Sequence, residues 1–198
     1  MTAGVTCTGG CGSERTGGGG MGAASPARRA QRVPSGPMSD PVPERLRAAL
    51  GRFATGVTIV TARAADGAPV GLTVNSFNSV SLQPPLVLWS LALQSRALPV
   101  FQTAAHYAIH VLAADQQALA ARFARRDVDR WAQQPWQPSA EGVPLLPGCL
   151  AVFECRSRSR YPEGDHVILV GEVLRCRHDE VGEPLLYHGG RFYTGLPT

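Results

Sequence analysis

The 198-residue sequence contains no lysine, and all 19 of its basic residues are arginine. Because these arginines are scattered, we interpret the absence of lysine as a coding bias and not as a phosphate-binding speciality. The formal net charge of +4 is unevenly distributed: residues 1–37 carry four Arg and one Glu, or +3, and the remaining 15 Arg and 14 acidic residues leave +1. A nearly neutral folded part has no basic face, so nucleic acid is not an expected partner.

Long apolar runs and regularly spaced cysteines are also missing. No segment approaches the roughly 18 uninterrupted apolar residues that a membrane-spanning helix needs. The five cysteines are odd in number and irregular in spacing, which argues against a disulfide framework and favours a reduced, cytoplasmic protein. Cys7 and Cys11 resemble half of a metal site without a second half, so no metal is predicted.

Several common catalytic motifs are absent. The sequence has no G-x-G-x-x-G after a predicted strand, no Walker loop, no G-x-S-x-G and no H-E-x-x-H. His106 and His110 would suit a metal site on a helix, but residues 107–112 have the pattern of a strand. Their even spacing therefore predicts two histidines on one face of a strand, exposed to solvent.

The composition changes sharply near residue 38. Residues 1–37 are rich in glycine and almost free of large apolar side chains, so they cannot bury enough surface to offset their ordering entropy. We predict a disordered extension at 1–37, or a start codon assigned too early with Met38 as the functional beginning. Residues 38–198 are expected to form one domain.

The pattern of the remaining chain is mainly β. An amphipathic helix around Leu46–Phe53 is expected to stop at Gly56, and Asp115 is expected to cap a second helix that runs to Arg125. A Pro-rich stretch at 133–147 is predicted to be a long surface loop, of the kind that is often functional. Strands are predicted at 57–61, 70–74, 86–91, 107–112, 150–160, 166–177, 185–187 and 192–193. Many strands with few short helices favour an antiparallel barrel, closed or partly closed.

One segment concentrates short hydroxyl and amide side chains, from Thr73 to Ser81. By itself it can be a polar turn with only a structural role. The same donors and acceptors would also suit a flat heteroaromatic ring with imide edges and a polyol chain. Ser90, Ser95 and Arg96 follow the next strand, and the Arg96 guanidinium is a candidate phosphate ligand.

Four stretches in register resemble the flavin reductase-like family of FMN-binding split barrels. They cover about three quarters of the chain, from about Leu46 to Gly195. The matching stretches are Gly51–Thr61, Asn75–Leu88, Val111–Leu112 with Gln116–Phe123, and Gly164–His166 with Gly171. The resemblance implies a mainly β, homodimeric Greek-key split barrel with a few short helices and a flavin near the dimer interface.

The resemblance also implies a set of site residues. The flavin ring would lie against Val70, Gly71, Leu72, Thr73, Asn75 and Ser76. Its ribityl and phosphate groups would lie along Ser90, Leu91, Ala92, Ser95, Arg96 and Ala97, with Arg122 and Phe123 closing over them. The family often has a hydroxyl residue where this chain has Ala97, which leaves more of the phosphate contact to Ser95 and Arg96. His166 and Tyr193 would shape the nicotinamide side, with His166 as the catalytic-side residue.

The implied activity is that of the reductase component of a two-component flavin-dependent monooxygenase. Such an enzyme transfers a hydride from NADH or NADPH to FMN or FAD, which requires two stacked rings and little acid–base chemistry. A monooxygenase would then be the partner, reached through direct contact or diffusing reduced flavin. Two alternatives stay open: a flavin-carrying electron-transfer module that never meets nicotinamide, and a reductase adapted to another acceptor such as a metal complex.

Overall fold

The computed structural model describes residues 42–194. The predicted boundary between an extension at 1–37 and a domain at 38–198 lies outside the described residues. The helices are α1 (Pro43–Leu50), α2 (Leu98–Thr103) and α3 (Gln117–Ala124), with a 3-10 turn at Ala114–Gln116 directly before α3. The strands are β1 (Thr55–Gly56), β2 (Thr58–Arg63), β3 (Pro69–Val74), β4 (Asn78–Leu82), β5 (Pro85–Ala92), β6 (His106–Val111), β7 (Gln137–Pro138), β8 (Pro144–Leu145), β9 (Ala151–Glu163), β10 (His166–His178), β11 (Leu185–His188) and β12 (Arg191–Thr194).

Seven strands form one antiparallel sheet in the order β3-β2-β6-β9-β10-β5-β4. Its two edge strands, β3 and β4, are consecutive in the chain and are joined by residues 75–77 alone. In a flat sheet those edges would be about 29 Å apart, whereas three linking residues reach at most about 14 Å. The sheet must therefore curl into a barrel that is split between β3 and β4. The predicted mainly β split-barrel fold is confirmed.

Strands β2 and β6 are buried on both faces along most of their length. One face of the sheet fills the barrel with a cluster around Trp89, Phe101 and Tyr107. The opposite face of β2, β6 and β9 packs against a second cluster that includes Phe123 of α3 and Leu146. Gly171 on β10 is required inside the barrel, because a Cβ there would overlap the Tyr107 hydroxyl.

Three predicted features at the ends of elements were wrong. Helix α1 ends at Leu50, and Gly56 pairs with Leu186 in a three-stranded sheet of β1, β11 and β12. Part of the hydroxyl-rich segment forms β4, because it can pair with β5. At the 3-10 turn, no side-chain cap comes from Asp115. The Gln116 side chain instead accepts a hydrogen bond from the Ala113 N–H at 3.0 Å.

The Pro-rich stretch was predicted to be a surface loop, but part of it is buried. It contains the short pair β7 and β8, and it buries Val143 and Leu146 in the second cluster. Pro144 is fixed by the Thr61 hydroxyl, which donates to its carbonyl at 2.6 Å. The loop is thus part of the core on one side and exposed on the other.

The predicted solvent-facing position of His110 was also wrong, because His110 is completely buried. Its Nδ1 lies 3.0 Å from the Ile59 carbonyl, and its Nε2 lies 3.1 Å from the Leu146 backbone nitrogen. The carbonyl can only accept and the N–H can only donate, so the ring is neutral with its proton on Nδ1. Burial accordingly lowers the pKa of His110 to about 4.

Candidate functional site

A cavity of about 300 Å³ opens at the split of the barrel. We call it the split groove. Its walls come from β3, the 75–77 link, β5, the start of β10 and the segment after α3. It is lined by ten of the predicted site residues: Leu72, Thr73, Asn75, Ser76, Ser90, Leu91, Ala92, Ser95, Phe123 and His166. Residues from distant parts of the sequence therefore meet in one place, because the curled sheet brings its two edges together.

Two of the predicted hydroxyl residues in the groove already have structural partners. The Ser76 hydroxyl accepts a hydrogen bond from the Ser90 N–H at 2.9 Å and donates to the Ser90 carbonyl at 3.2 Å, so it fastens the 75–77 link to β5. The Thr73 hydroxyl donates to the Ala120 carbonyl at 2.7 Å and thereby fixes α3 against β3. These side chains build the groove before any ligand arrives.

Other polar side chains of the groove are free. The Asn75 amide, the Ser90 hydroxyl and the Arg126 guanidinium make no hydrogen bond or ion pair with any residue between 42 and 194. In addition, β3 is an edge strand, so part of its backbone is not used in the sheet. The groove thus offers donors and acceptors to a ligand with polar edges.

The positive charge of the site comes from the segment after α3. Arg126 and Arg130 line both the split groove and a side cavity of about 240 Å³, which Arg96 also lines. Arg130 donates to the Gly71 carbonyl at 2.8 Å and Arg96 to the Arg126 carbonyl at 3.3 Å. Burial, together with the charges of Arg126 and Arg96, lowers the pKa of Arg130. No acidic side chain lines the groove among the described residues, whereas Asp129 lines the side cavity, so the groove is the part of this region that favours an anion.

His166 is the first residue of β10, where it pairs with Ala92 of β5. Its Nδ1 lies 2.6 Å from the Asp165 carboxylate, and this hydrogen bond lowers the pKa of Asp165. The Asp165 carbonyl in turn accepts the Leu93 N–H at 2.9 Å. The ring is half exposed and lines the groove, so its Nε2 is available to a ligand.

Some predicted site residues lie elsewhere. Val70, Gly71, Arg96 and Ala97 line the side cavity instead of the groove. Arg122 lines another cavity, where it donates to the Ala132 carbonyl at 3.3 Å. Tyr193 lies on β12 of the small sheet, with its ring 6.2 Å from that of His188, and does not line the groove.

Sequence reasoning missed four groove residues, Val74, Ala124, Arg126 and Arg130. The available signal was the cluster of four arginines between 122 and 130. Which of these guanidinium groups reaches the groove depends on contacts with distant parts of the chain and not on the local sequence.

Gly71 allows two aromatic rings to approach the back of β3. A Cβ there would lie 2.8 Å from the Phe123 ring and 3.1 Å from the Trp131 ring. Those two rings contact each other edge to face at 5.1 Å between centroids. Glycine is therefore needed for the packing that sets the position of Phe123 in the groove wall.

Two of the three thiols in the described part of the chain are buried, and the third, Cys176, is exposed. Burial raises the pKa of Cys149 to about 11 and that of Cys155 to about 12, which keeps both thiols protonated and unreactive. Residues 42–194 contain no cluster of three or more His, Cys, Asp or Glu side chains arranged to hold a metal ion. Within the same residues, no helix combines the length and apolarity needed to cross a membrane.

Comparison with known proteins identifies the class. The profile of the flavin reductase like domain matches residues 50–196. The FMN reductase (NADH) SmoA of Agrobacterium fabrum is 54% identical over 151 residues, which are 74% of this chain and 82% of that protein. HsaB of Rhodococcus jostii, the reductase subunit of a flavin-dependent monooxygenase, is 40% identical over 154 residues, or 78% of each chain.

Solved structures agree with the sequence relatives. The NADH:FAD oxidoreductase SgcE6 of Streptomyces globisporus, in complex with NAD and FAD fragments, superposes with a TM-score of 0.76 at 37% identity. The match covers 82% of this chain and 98% of that one. The chain belongs to the flavin reductase-like domain family, and the family prediction is confirmed.

Proposed function

We propose that the chain is an NAD(P)H:flavin oxidoreductase that reduces FMN or FAD and supplies reduced flavin to a monooxygenase. The observation that supports this function best is the split groove, where free amide and hydroxyl groups and an unpaired arginine converge on one cavity. Its relatives are named as flavin reductases that use NADH and as reductase components of monooxygenases.

The residues of the groove fit a flavin. The Asn75 amide, the Ser90 hydroxyl and the free backbone of β3 can bind the polar edge and the polyol chain. Arg126 and Arg130, with Arg96 behind them, can bind the phosphate. Bound flavin supplies the ring that accepts a hydride from a reduced nicotinamide. Short side chains and backbone groups hold such a ligand only moderately, as an enzyme that releases reduced flavin requires.

The chain's own contribution to the reaction is positioning and exclusion of water. His166 is held by Asp165 at the mouth of the groove and directs its Nε2 away from that bond, so we propose that it orients the nicotinamide. Phe123 forms an apolar wall that limits access of water. Tyr193 keeps its proposed role at the nicotinamide side only if it reaches the groove in an assembled form of the protein.

We also propose a homodimer. Helix α1 has no buried residue, and Leu46, Leu50 and Phe53 present an exposed apolar surface, with Phe53 74% exposed. The edge strand β4 exposes Val80 and Leu82 in the same way. Such surfaces favour protein contacts. Free thiols at Cys149, Cys155 and Cys176 are in keeping with a proposed reducing, cytoplasmic compartment.

Steady-state oxidation of NADH and NADPH with FMN, FAD and riboflavin tests the proposal. We expect turnover that depends on added flavin and on one nicotinamide more than the other. Flavin binding without any NAD(P)H oxidation would instead identify an electron-transfer module. Oxidation that requires a metal complex and ignores flavin would identify the third class of function.

A further inference from the structure

A cavity without a role in the proposed function lies at the Pro-rich loop. It has a volume of about 440 Å³, within the range of small-molecule sites, roughly 300–1,000 Å³. We call it the loop cavity. Its apolar walls are Trp136, Leu145 and Leu146 with two prolines, and Arg177 lies at its side.

The walls of the loop cavity are held rigidly from behind. His110 Nε2 accepts the Leu146 N–H, the Thr61 hydroxyl donates to the Pro144 carbonyl, and the Gln116 amide donates to the Pro147 carbonyl at 3.0 Å. Arg175 joins Glu141 of the loop to Glu154 of β9. The cavity is therefore preformed, which lowers the entropy that a ligand must lose on binding.

Arg177 is the unusual residue of this cavity. Its guanidinium makes no hydrogen bond or ion pair with any residue in the described part of the chain, although Arg175 on the same strand and Arg156 on the neighbouring strand β9 both do. No acidic side chain lines the cavity among those residues. A planar guanidinium with unused donors matches a carboxylate in a bidentate manner.

Trp136 supplies the complementary apolar surface. The indole is partly buried, packs against the second cluster, and contacts Trp131 edge to face at 6.3 Å between centroids. Prolines on either side offer flat, rigid contacts. An aromatic ring is the group that such a wall packs best.

We propose that the loop cavity is a second ligand site that binds small aromatic monocarboxylates, with the ring against Trp136 and the carboxylate on Arg177. The site is separate from the split groove, and the two share no lining residue. The inference does not depend on the proposed reductase activity.

Calorimetric titration of the full chain with benzoate and 2-naphthoate tests the site, with benzamide and 2-naphthamide as neutral controls. We expect the acids to bind with a Kd of about 0.1–1 mM and the amides at least about tenfold more weakly. Saturating FMN should leave acid binding unchanged. No saturable binding up to about 10 mM acid, or displacement of the acid by FMN, would overturn the proposal.

Variants assign the contacts. Arg177→Gln should weaken acid binding about tenfold or more and leave the amides unchanged, whereas Arg158→Gln, which alters an exposed arginine outside the cavity, should change neither. Trp136→Leu should weaken acids and amides alike, by about 2- to 10-fold. Acid binding that survives Arg177→Gln unchanged contradicts the assignment, and because Arg177 is exposed this variant remains decisive even if Trp136→Leu does not fold.

Discussion

The split groove and the loop cavity use polar groups in opposite ways. In the groove, the hydroxyls of Ser76 and Thr73 form hydrogen bonds that hold the fold together. The side chains of Asn75, Ser90 and Arg126 have no partner among the described residues. Under the loop, Thr61, His110 and Gln116 are all used to anchor backbone carbonyls or N–H groups, and Arg177 has no partner in the described part of the chain. The groove therefore presents free polar groups to a ligand. The loop cavity presents mainly apolar side chains, and most polar groups near it hold its walls in place.

The difference follows from where each site lies in the sheet. The groove opens between two edge strands, where backbone and side-chain groups have no neighbouring strand to satisfy them. The Pro-rich loop that forms the loop cavity is bonded to β2 and β6, which are already paired on both sides. Buried polar groups there must find partners within the loop. Substitutions and pH changes should therefore affect the two regions differently.

The largest expected effect is a loss of stability on acidification that arises from His110. Its folded-state pKa of about 4 lies below the value of about 6.5 for an unfolded chain. Its contribution is fully present above pH 6.5 and is lost as the pH falls towards 4, by up to about 3 kcal/mol. Protonation would place an N–H against the Leu146 N–H. Urea unfolding between pH 7 and pH 4 measures the loss.

The matched variants are His110→Gln and His178→Gln, since His178 is an exposed histidine at the end of β10. The His110 variant should be less stable at pH 7 and show a flatter pH dependence than the wild type. The His178 variant should follow the wild-type curve. If all three curves run parallel between pH 6.5 and 4, the buried neutral histidine is not the cause.

The next effect concerns phosphate recognition in the groove. Arg126→Ala should weaken FMN binding by about 1.5–3 kcal/mol and riboflavin binding far less, because only FMN has the phosphate. Arg96→Ala should have a similar selectivity with a smaller loss, because Arg96 lines only the side cavity. Fluorescence titration of both flavins measures the two affinities.

Arg125→Ala is the matched control for these variants. Arg125 is paired with Asp127 at 2.7 Å and lines neither the groove nor the side cavity. Its removal should leave the FMN to riboflavin ratio unchanged. Equal losses for both flavins in the Arg126 variant would mean that this arginine contacts the ring or supports the fold.

The sequence could predict what depends on local pattern. Six of the seven strands of the main sheet, the barrel class and ten groove residues follow from β-branched runs and from the family resemblance, whereas β4 was not predicted. Contacts across the fold could not be predicted. The burial of His110 depends on Leu146, 36 residues away, and the role of Arg130 depends on the Gly71 carbonyl, 59 residues away. The local sequence around an arginine or histidine does not show whether the folded chain provides such a distant partner.

An effect of similar or smaller size is expected at the nicotinamide side. His166→Ala should keep the fold and flavin affinity but slow anaerobic reduction of bound flavin by NADH about 5- to 150-fold, or about 1–3 kcal/mol. Asp165→Asn should reproduce part of the loss because it replaces the charged acceptor of the Nδ1 hydrogen bond with a weaker, neutral amide oxygen. Stopped-flow reduction at saturating and subsaturating NADH provides the rates, with His178→Ala as the control. Wild-type speed under both conditions would reduce His166 to a turn residue.

The smallest effect distinguishes the two serines that meet in the groove. Ser76→Ala removes both hydrogen bonds that fasten the 75–77 link to β5, so we expect a loss of about 1 kcal/mol in the free energy of unfolding. Ser90→Ala removes a hydroxyl with no partner in the described structure, so stability should stay within about 0.5 kcal/mol of wild type. The Ser90→Ala variant should instead bind flavin more weakly than the wild type. Urea unfolding and flavin titration of both variants measure the two quantities side by side. If Ser90→Ala lost stability and kept its flavin affinity, the free hydroxyl would belong to the framework, and the division of the groove into supporting and binding groups would be wrong.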